Sequence, residues 1–330
     1  MLVPGLDDLR DWISADFGIL FSEVTAIGHG ADAAASVWLV RAGAARYAVK
    51  WTGGGSAAGL LLPARLAELG VDGVPAPVRT LGRALWSERD GRRLSLQPWV
   101  SDVRAVDAVM TPVQWTAYGA LLARVHAVPP ADPVVGGLPV EDHRPDAVLA
   151  ATAAVTARLA DGDGDDLVRE LRGDWRGGAE LLGALTARAA VLGARLRDRP
   201  ARAVVCHTDG HLGNVLLGDD GAVWLIDWDD ATLAPPERDL MFVVGGLPGY
   251  APVGQREIGW FAAGYGEVEV DADRLAYYRA VRALGDVTEF AAAILDPAGE
   301  RADREFALSV VPGELAGRGL AGLAVGDGGA

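Results

Sequence analysis

The sequence predicts an α+β fold in two lobes: an antiparallel sheet with a helix in the N-terminal part, and a larger, mainly helical C-terminal part. Two observations lead there. Short strand-like apolar runs bounded by turn residues recur between residues 24 and 97, whereas later segments read as helices. At 330 residues the chain exceeds one typical domain, and with half its residues hydrophobic it can bury a substantial core.

Leu6–Asp16 reads as a first amphipathic helix. Val24–Gly28, Ala35–Arg41 and Arg46–Trp51 read as strands, the last two joined by the turn Ala42–Ala45. Between the first two lies Gly28-His29-Gly30-Ala31-Asp32, where Gly28 and Gly30 would let backbone N–H groups approach phosphates closely. Many hairpins also turn on glycine. Gly53–Gly55 leads into a helical stretch that ends near Leu69-Gly70 and is interrupted by Pro63. Further strands are expected at Val78–Leu81, Ala84–Glu88 and Arg93–Gln97.

Gln97-Pro98-Trp99-Val100 is read as the connector between lobes, so the expected boundaries are 1–96, 97–100 and 101–312. Trp99 could equally belong to a core. Thr111-Pro112 places an N-cap and a proline at the start of a helix running to about His126, a structural histidine. Asp146–Leu159, Asp166–Arg199, Arg256–Gly264, Ala272–Leu295 and Ala302–Val310 read as helices, and 313–330 as a mobile tail. Asp161-Gly162-Asp163-Gly164-Asp165 resembles the start of a Ca²⁺ loop. Its sixth position is Asp166 instead of Gly, and Arg172 stands where a bidentate Glu is needed, so it reads as a solvated acidic loop.

A formal charge of −15 argues against nucleic acid as a ligand and would favour the approach of a cationic one. No apolar run reaches the length of a membrane span, and the first residues have neither a basic start nor an apolar core of a secretory signal. Cys206, the single cysteine, excludes an internal disulfide and fits a reducing cytoplasm. The chain holds 29 Arg and one Lys, Lys50 in Arg46-Tyr47-Ala48-Val49-Lys50-Trp51. Lys differs from Arg in meeting phosphate as a compact point charge.

The chemistry-bearing segment is His207-Thr208-Asp209-Gly210-His211-Leu212-Gly213-Asn214, followed by Val215–Leu217, Gly218-Asp219-Asp220-Gly221, and Val223–Ile226 leading into Asp227. It reads as a β-hairpin. With Asp220-Gly221 as a two-residue turn, Leu217 faces Trp224 and Asn214 faces Asp227. An amide oxygen and a carboxylate on one face, with Asp209 as a potential base five residues upstream, can grip Mg²⁺ for phosphoryl transfer. Asp209, Asn214 and Asp227 match the catalytic-loop Asp, the Asn after four intervening residues, and the second metal-binding Asp of the kinase pattern.

On these residues the chain resembles the aminoglycoside phosphotransferase family, whose protein-kinase-like fold has two lobes. Ile226-Asp227-Trp228-Asp229 and 233–242 are most similar to the spectinomycin phosphotransferase branch, with further likeness at 264–267 and 277–279. The resemblance implies ATP (GTP not excluded) and Mg²⁺ as cofactors. Asp209 would be catalytic, Asn214 and Asp227 metal-binding, and Lys50 phosphate-binding, as in Tyr-Ala-Val-Lys strands. Gln97 and Trp99 would lie where the connector offers backbone groups to adenine. Trp228, Asp229, Tyr265 and Asp286 would be candidates for the acceptor cleft, with core or capping roles open for each. The implied acceptor is a small, hydroxylated, cationic antibiotic.

Thr208 stands where many protein kinases have Arg, which leaves no anchor for control by activation-loop phosphorylation. The helix after Lys50 lacks the expected Glu, since Glu68 is the only acidic residue between Thr52 and Gly70. Either the break at Pro63 brings Glu68 in, or Lys50 is held by nucleotide and Asp227 alone. Asp239 is expected to cap the following helix or brace the catalytic loop. Two other functions stay open: nucleotide binding without turnover, and sequestration of a cationic antibiotic. A kinase of another small metabolite is a third.

Overall fold

The computed structural model of the chain describes residues 4–27, 35–267 and 269–326. They form two compact units, one of residues 1–139, 204–233 and 259–266, the other of 140–203, 234–258 and 267–330.

In the first unit, α1 (Leu6–Phe17) buries Leu9, Ile13 and Phe17, spaced four apart and so on one helix face. They pack on a sheet built from β1 (Glu23–Ile27), β2 (Ala35–Ala42) and β3 (Ala45–Thr52). After α2 (Ala58–Glu68) come β4 (Ser87–Arg89) and β5 (Arg92–Pro98), completing the antiparallel order β1-β2-β3-β5-β4. Trp38, Val49 and Leu96 oppose one another across three strands and belong to the core under α1. Side chains alternate along a strand, so Lys50, opposed to Val37 and Ser95, lies on the other sheet face.

Pro63 does not interrupt α2. The helix runs through it, with Leu60, Leu62, Pro63, Ala64 and Leu66 buried. Burial at about 1.5–3 kcal/mol per large apolar side chain outweighs a helix-interior proline's cost of about 3 kcal/mol. Val78–Leu81 forms no ladder; its N–H groups bond singly to different segments, Val78 to the Leu96 carbonyl, Thr80 to the Ala84 carbonyl and Leu81 to the Asp16 carbonyl, each at 2.8 Å.

The first unit continues with β6 (Val103–Arg104) and α3 (Pro112–His126). Thr111 caps α3 and Gln114 closes the capping box. β7 (Val204–Cys206) ends at the buried Cys206 and leads into the loop 207–214. β6, β8 (Val215–Leu217) and β9 (Val223–Leu225) form a small antiparallel sheet.

The hairpin register is one residue off the expected one. Leu217 pairs with Val223 and Val215 with Leu225, because a 3₁₀ turn at Asp219–Gly221 replaces the two-residue turn. Asp220 takes φ +56 there, and Gly218 N–H closes the loop onto the Ala222 carbonyl at 2.9 Å. Asn214 therefore lies opposite Ile226, whose N–H donates to its carbonyl at 3.0 Å. A one-residue slip moves a side chain to the other face, so direct opposition does not join Asn214 to Asp227.

The second unit holds α4 (Asp146–Ala160), α5 (Asp166–Gly177), α6 (Ala179–Arg197), the short α7 (Glu237–Leu240) and the start of α8 (Gln255–Tyr265). It is completed by α9 (Ala272–Leu295), α10 (Arg301–Leu315) and α11 (Leu320–Gly326). Ala280, Leu284, Val287, Ala291 and Ile294 of α9 form the spine of its core. The single helix expected over 166–199 is two, separated at Gly178, where a Cβ would meet the Leu315 side chain at 2.8 Å. The expected tail from 313 instead carries the end of α10 and α11, with Leu320, Ala321 and Ala324 buried. Among the described residues no helix is long and apolar enough to cross a membrane.

Candidate active site

The loop after β7 is held from inside. His207 is fully buried: its Nδ1 accepts from Asp209 N–H at 3.2 Å, and its Nε2 lies 2.8 Å from the Ile226 carbonyl. That pattern makes Nδ1 the acceptor and Nε2 the donor of the ring. The ring meets Trp228 edge-on at 4.5 Å. Thr208 has φ +72, a left-handed conformation that a β-branched residue adopts only under constraint, and its hydroxyl donates to the Asp230 carbonyl at 3.1 Å. From α3, the Tyr118 hydroxyl donates to the Gly210 carbonyl at 2.6 Å.

These constraints present Asp209. Asn214 Nδ2 donates to both the backbone carbonyl and Oδ2 of Asp209, each at 2.9 Å. With its nitrogen committed there, Asn214 offers a cation its carbonyl oxygen Oδ1. His211 accepts at Nδ1 from Gly213 N–H at 2.9 Å, and its Nε2 stands 3.6 Å from Asp209 Oδ1.

Asp227 leaves β9 with φ +68. Burial pushes its carboxyl pKa up from the usual range; Lys50 and His207 oppose this, whereas Asp229 and Asp209 add to it. Negative charge thus converges where burial disfavours it, and a bound cation would relieve that cost. The donor set is oxygen only, the chemistry of Mg²⁺. Lys50 Nζ lies 2.7 Å from Asp229 Oδ2, both side chains about one quarter exposed.

The structure thus brings Asp209 to Asn214, and Lys50 and Asp227 into one charge cluster, by a route other than the expected register. Lys50 does not meet Glu68, which pairs with Arg65 and Arg79. Its carboxylate partner is Asp229, expected in the acceptor cleft.

Trp228 is a core residue, 2 % exposed, with its indole N–H on the Leu225 carbonyl at 2.9 Å. The Tyr265 hydroxyl is 2.6 Å from His126 Nδ1, and its ring stacks on Phe261. Asp286 lies on α9 in the second unit, 2.6 Å from Arg282 Nε. Asp239 sits inside α7 and not at its N-cap, which is Pro236.

Residues 97–100, expected as a connector, lie inside the first compact unit; the β3–β5 ladder extends there to Tyr47 and Pro98, and Trp99 N–H donates to the Arg46 carbonyl at 2.9 Å. Proline has no N–H, so neither 98 nor 99 offers a backbone donor to a base edge. The half-buried Trp99 indole donates to Asp102 at 2.6 Å, and Gln97 Nε2 reaches the Pro75 carbonyl at 3.5 Å. Gly28 and Gly30 lie outside the described residues. Sequence reasoning missed Tyr118 and the buried role of His207. His207 directly precedes Thr208-Asp209, a signal that was available, whereas Tyr118 carries no local one.

A profile described as "Phosphotransferase enzyme family" matches residues 23–284. No curated protein sequence matches the chain. Among solved structures, the chain is similar to spectinomycin phosphotransferase APH(9)-Ia in complex with ADP and spectinomycin, at 24% identity over 98% of this chain and 99% of that one, TM-score 0.86. It is also similar to APH(2")-IIIa with GDP and kanamycin, at 16% identity over 93% and 98%, TM-score 0.61. The macrolide 2'-phosphotransferase MphH from Brachybacterium faecium aligns at 18% identity over 93% and 98%, TM-score 0.54. These likenesses establish the kinase-like, two-part α+β fold. With four-fifths of the chain inside the family match, the chain belongs to the phosphotransferase enzyme family, whose members are small-molecule kinases.

Proposed function

We propose that the chain is an ATP- and Mg²⁺-dependent O-phosphotransferase that phosphorylates a hydroxyl of a small cationic antibiotic, spectinomycin or a related aminocyclitol, and so confers resistance. The observation that carries the reading is the grip of Asn214 Nδ2 on Asp209 Oδ2, 2.9 Å, in the same charge cluster as Asp227 and Lys50. A turn-capping hairpin would have no reason to concentrate three carboxylates against the sole lysine. The acceptor rests on the fold likeness to a spectinomycin-bound phosphotransferase along nearly the whole of both chains.

In this reading Lys50 binds the nucleotide's α- and β-phosphates as a point charge. Asn214 Oδ1 and Asp227 would hold Mg²⁺, which when bound neutralises charge on the phosphates. Asp209 orients the acceptor hydroxyl. As the hydroxyl oxygen bonds to the γ-phosphorus and the bond to the β-phosphate oxygen breaks, the hydroxyl proton passes to the Asp209 carboxylate. Asn214 keeps that carboxylate from rotating away, and His207 fixes the Asp209 backbone beneath it. Positioning of this kind, and not covalent chemistry, is what phosphoryl transfer asks of a protein.

The test is a phosphate-transfer screen of the purified protein with ATP and Mg²⁺ against spectinomycin, kanamycin, macrolides and simple amino alcohols, with products identified by mass and phosphorus NMR. Spectinomycin monophosphate is expected, with weaker or no transfer to multi-ring aminoglycosides. Rapid phosphorylation of an unrelated metabolite, with spectinomycin untouched, would overturn the acceptor assignment.

A further inference from the structure

A helix N-terminus leaves backbone N–H groups without intrahelical partners and attracts negative charge. α2 begins at Ala58 with no side-chain cap and no acidic residue in its first turn. The carboxylate beside that turn comes from far along the chain: Asp229, after β9. Ser56 Oγ donates to the Asp229 carbonyl at 2.7 Å and accepts from Ala58 N–H at 3.1 Å, which ties the Asp229 backbone to the start of α2. Arg93 holds the preceding turn through the Gly54 and Gly55 carbonyls.

Two glycines keep the seat open. A Cβ on Gly59 would overlap Asp229 Oδ1 and stand 2.9 Å from its Cγ, and one on Gly55, at φ +67, would stand 3.1 Å from Oδ2. From this seat Asp229 Oδ2 meets Lys50 Nζ at 2.7 Å.

We infer that Asp229 is a positioning residue: it supplies the carboxylate that orients Lys50 for nucleotide phosphates, in place of the glutamate that α2 lacks, and Gly59 is required to admit it. The inference rests on Lys50 binding nucleotide. Asp229 therefore serves the nucleotide half of the reaction and not the acceptor's amines. An oriented ammonium loses less freedom when phosphate arrives, so Lys50 should contribute more with Asp229 present than without it.

A double-mutant cycle in the full-length chain tests this, with the dissociation constant of Mg²⁺–AMP-PNP measured by titration calorimetry so that no acceptor is needed. Lys50→Ala should weaken binding at least about tenfold in the wild-type background, as loss of a charge-assisted contact does. In the Asp229→Asn background the same change should cost at least about threefold less. Equal losses would make Asp229 merely structural. A larger loss in the Asn background would mean that Asp229 competes with phosphate for Lys50. Either result overturns the inference while leaving Lys50 in place, whereas no loss from Lys50→Ala in the wild type would sink the nucleotide role of Lys50 itself.

Gly59→Ala keeps every charge but displaces the carboxylate, and should diminish the contribution of Lys50 as Asp229→Asn does. Circular dichroism confirms that the variants fold. Should Gly59→Ala fail to fold, the near-isosteric Asp229→Asn decides alone.

Discussion

At the scale of single residues, Asp209 and Lys50 can be separated by what each removes. Asp209→Asn keeps the size and the contact with Asn214 but removes the charge that, in the proposed reaction, would receive the hydroxyl proton. Its kcat should fall about 10²–10⁴-fold with nucleotide affinity little changed. Steady-state kinetics at saturating ATP checks it, and near-wild-type turnover would remove Asp209 from the mechanism. Lys50→Arg should recover little of what Lys50→Ala loses, because a broad planar guanidinium does not fit where a compact ammonium sits 2.7 Å from Asp229. Recovery of full activity by Arg would mean that the lone lysine has no special chemistry.

That Asp209, Asn214 and Asp227 belong together was legible in their fixed spacing along the chain, and the structure gathers them. The partner of Lys50 was not. Lys50 and Asp229 are 179 positions apart, and no local period encodes a contact of that range.

At the scale of elements, helix crossings depend on missing side chains. A Cβ on Gly119 of α3 would stand 2.8 Å from Tyr265 N, and one on Gly264 of α8 would stand 2.8 Å from Ala120 N. The Thr116 hydroxyl also donates to the Trp260 carbonyl at 3.0 Å. Gly264→Ala should force these backbones apart and destabilise the fold by about 1–3 kcal/mol, read from the midpoint of chemical denaturation. An unchanged midpoint would mean that the two helices can part freely.

In the second unit, His143 packs against Tyr277 and Tyr278 of α9, with ring centroids 5.3 and 6.0 Å away. Burial lowers its pKa from the ordinary value near 6.5; Glu141 and Asp142 oppose this, and Arg274 and Arg197 add to it. The folded chain therefore binds this proton less readily than the unfolded one. Stability from this site is present above pH 6.5 and is lost as the pH falls below it towards the folded pKa. His143→Gln should flatten the dependence of stability on pH across that window; an unaltered slope would assign the acid lability to other groups.

Elements were mostly readable where one period ran unbroken, as in α1, β3 and α9. They were misread where a turn decided. A left-handed Asp220 lengthened the hairpin loop and slid its register, and one expected helix is two, with Gly178 between them.

Across the whole molecule, the net charge of −15 acts at long range and without regard to shape. If the acceptor is a dication, its kcat/KM should fall as ionic strength rises from about 0.1 M, where the Debye length is about 10 Å, to about 1 M, where it is about 3 Å. A neutral acceptor tested in parallel should show no such fall. Equal salt dependence for both would show that the charge serves solubility and not substrate approach. The α+β class and the order of its parts followed from composition and periodicity. The division into compact units did not, because residues 204–233 and 259–266 return to join the first 139, and chain order alone carries no signal of such returns.

The solitary ε-amine has an analytical use. Reductive methylation modifies only amines, here Lys50 and the chain's α-amino group, so each molecule carries a single internal label on Lys50. A ¹³C-methylated Lys50 would give one ε-amine NMR resonance. That resonance should shift when Mg²⁺–AMP-PNP binds, and respond to Asp229→Asn without any change to the nucleotide.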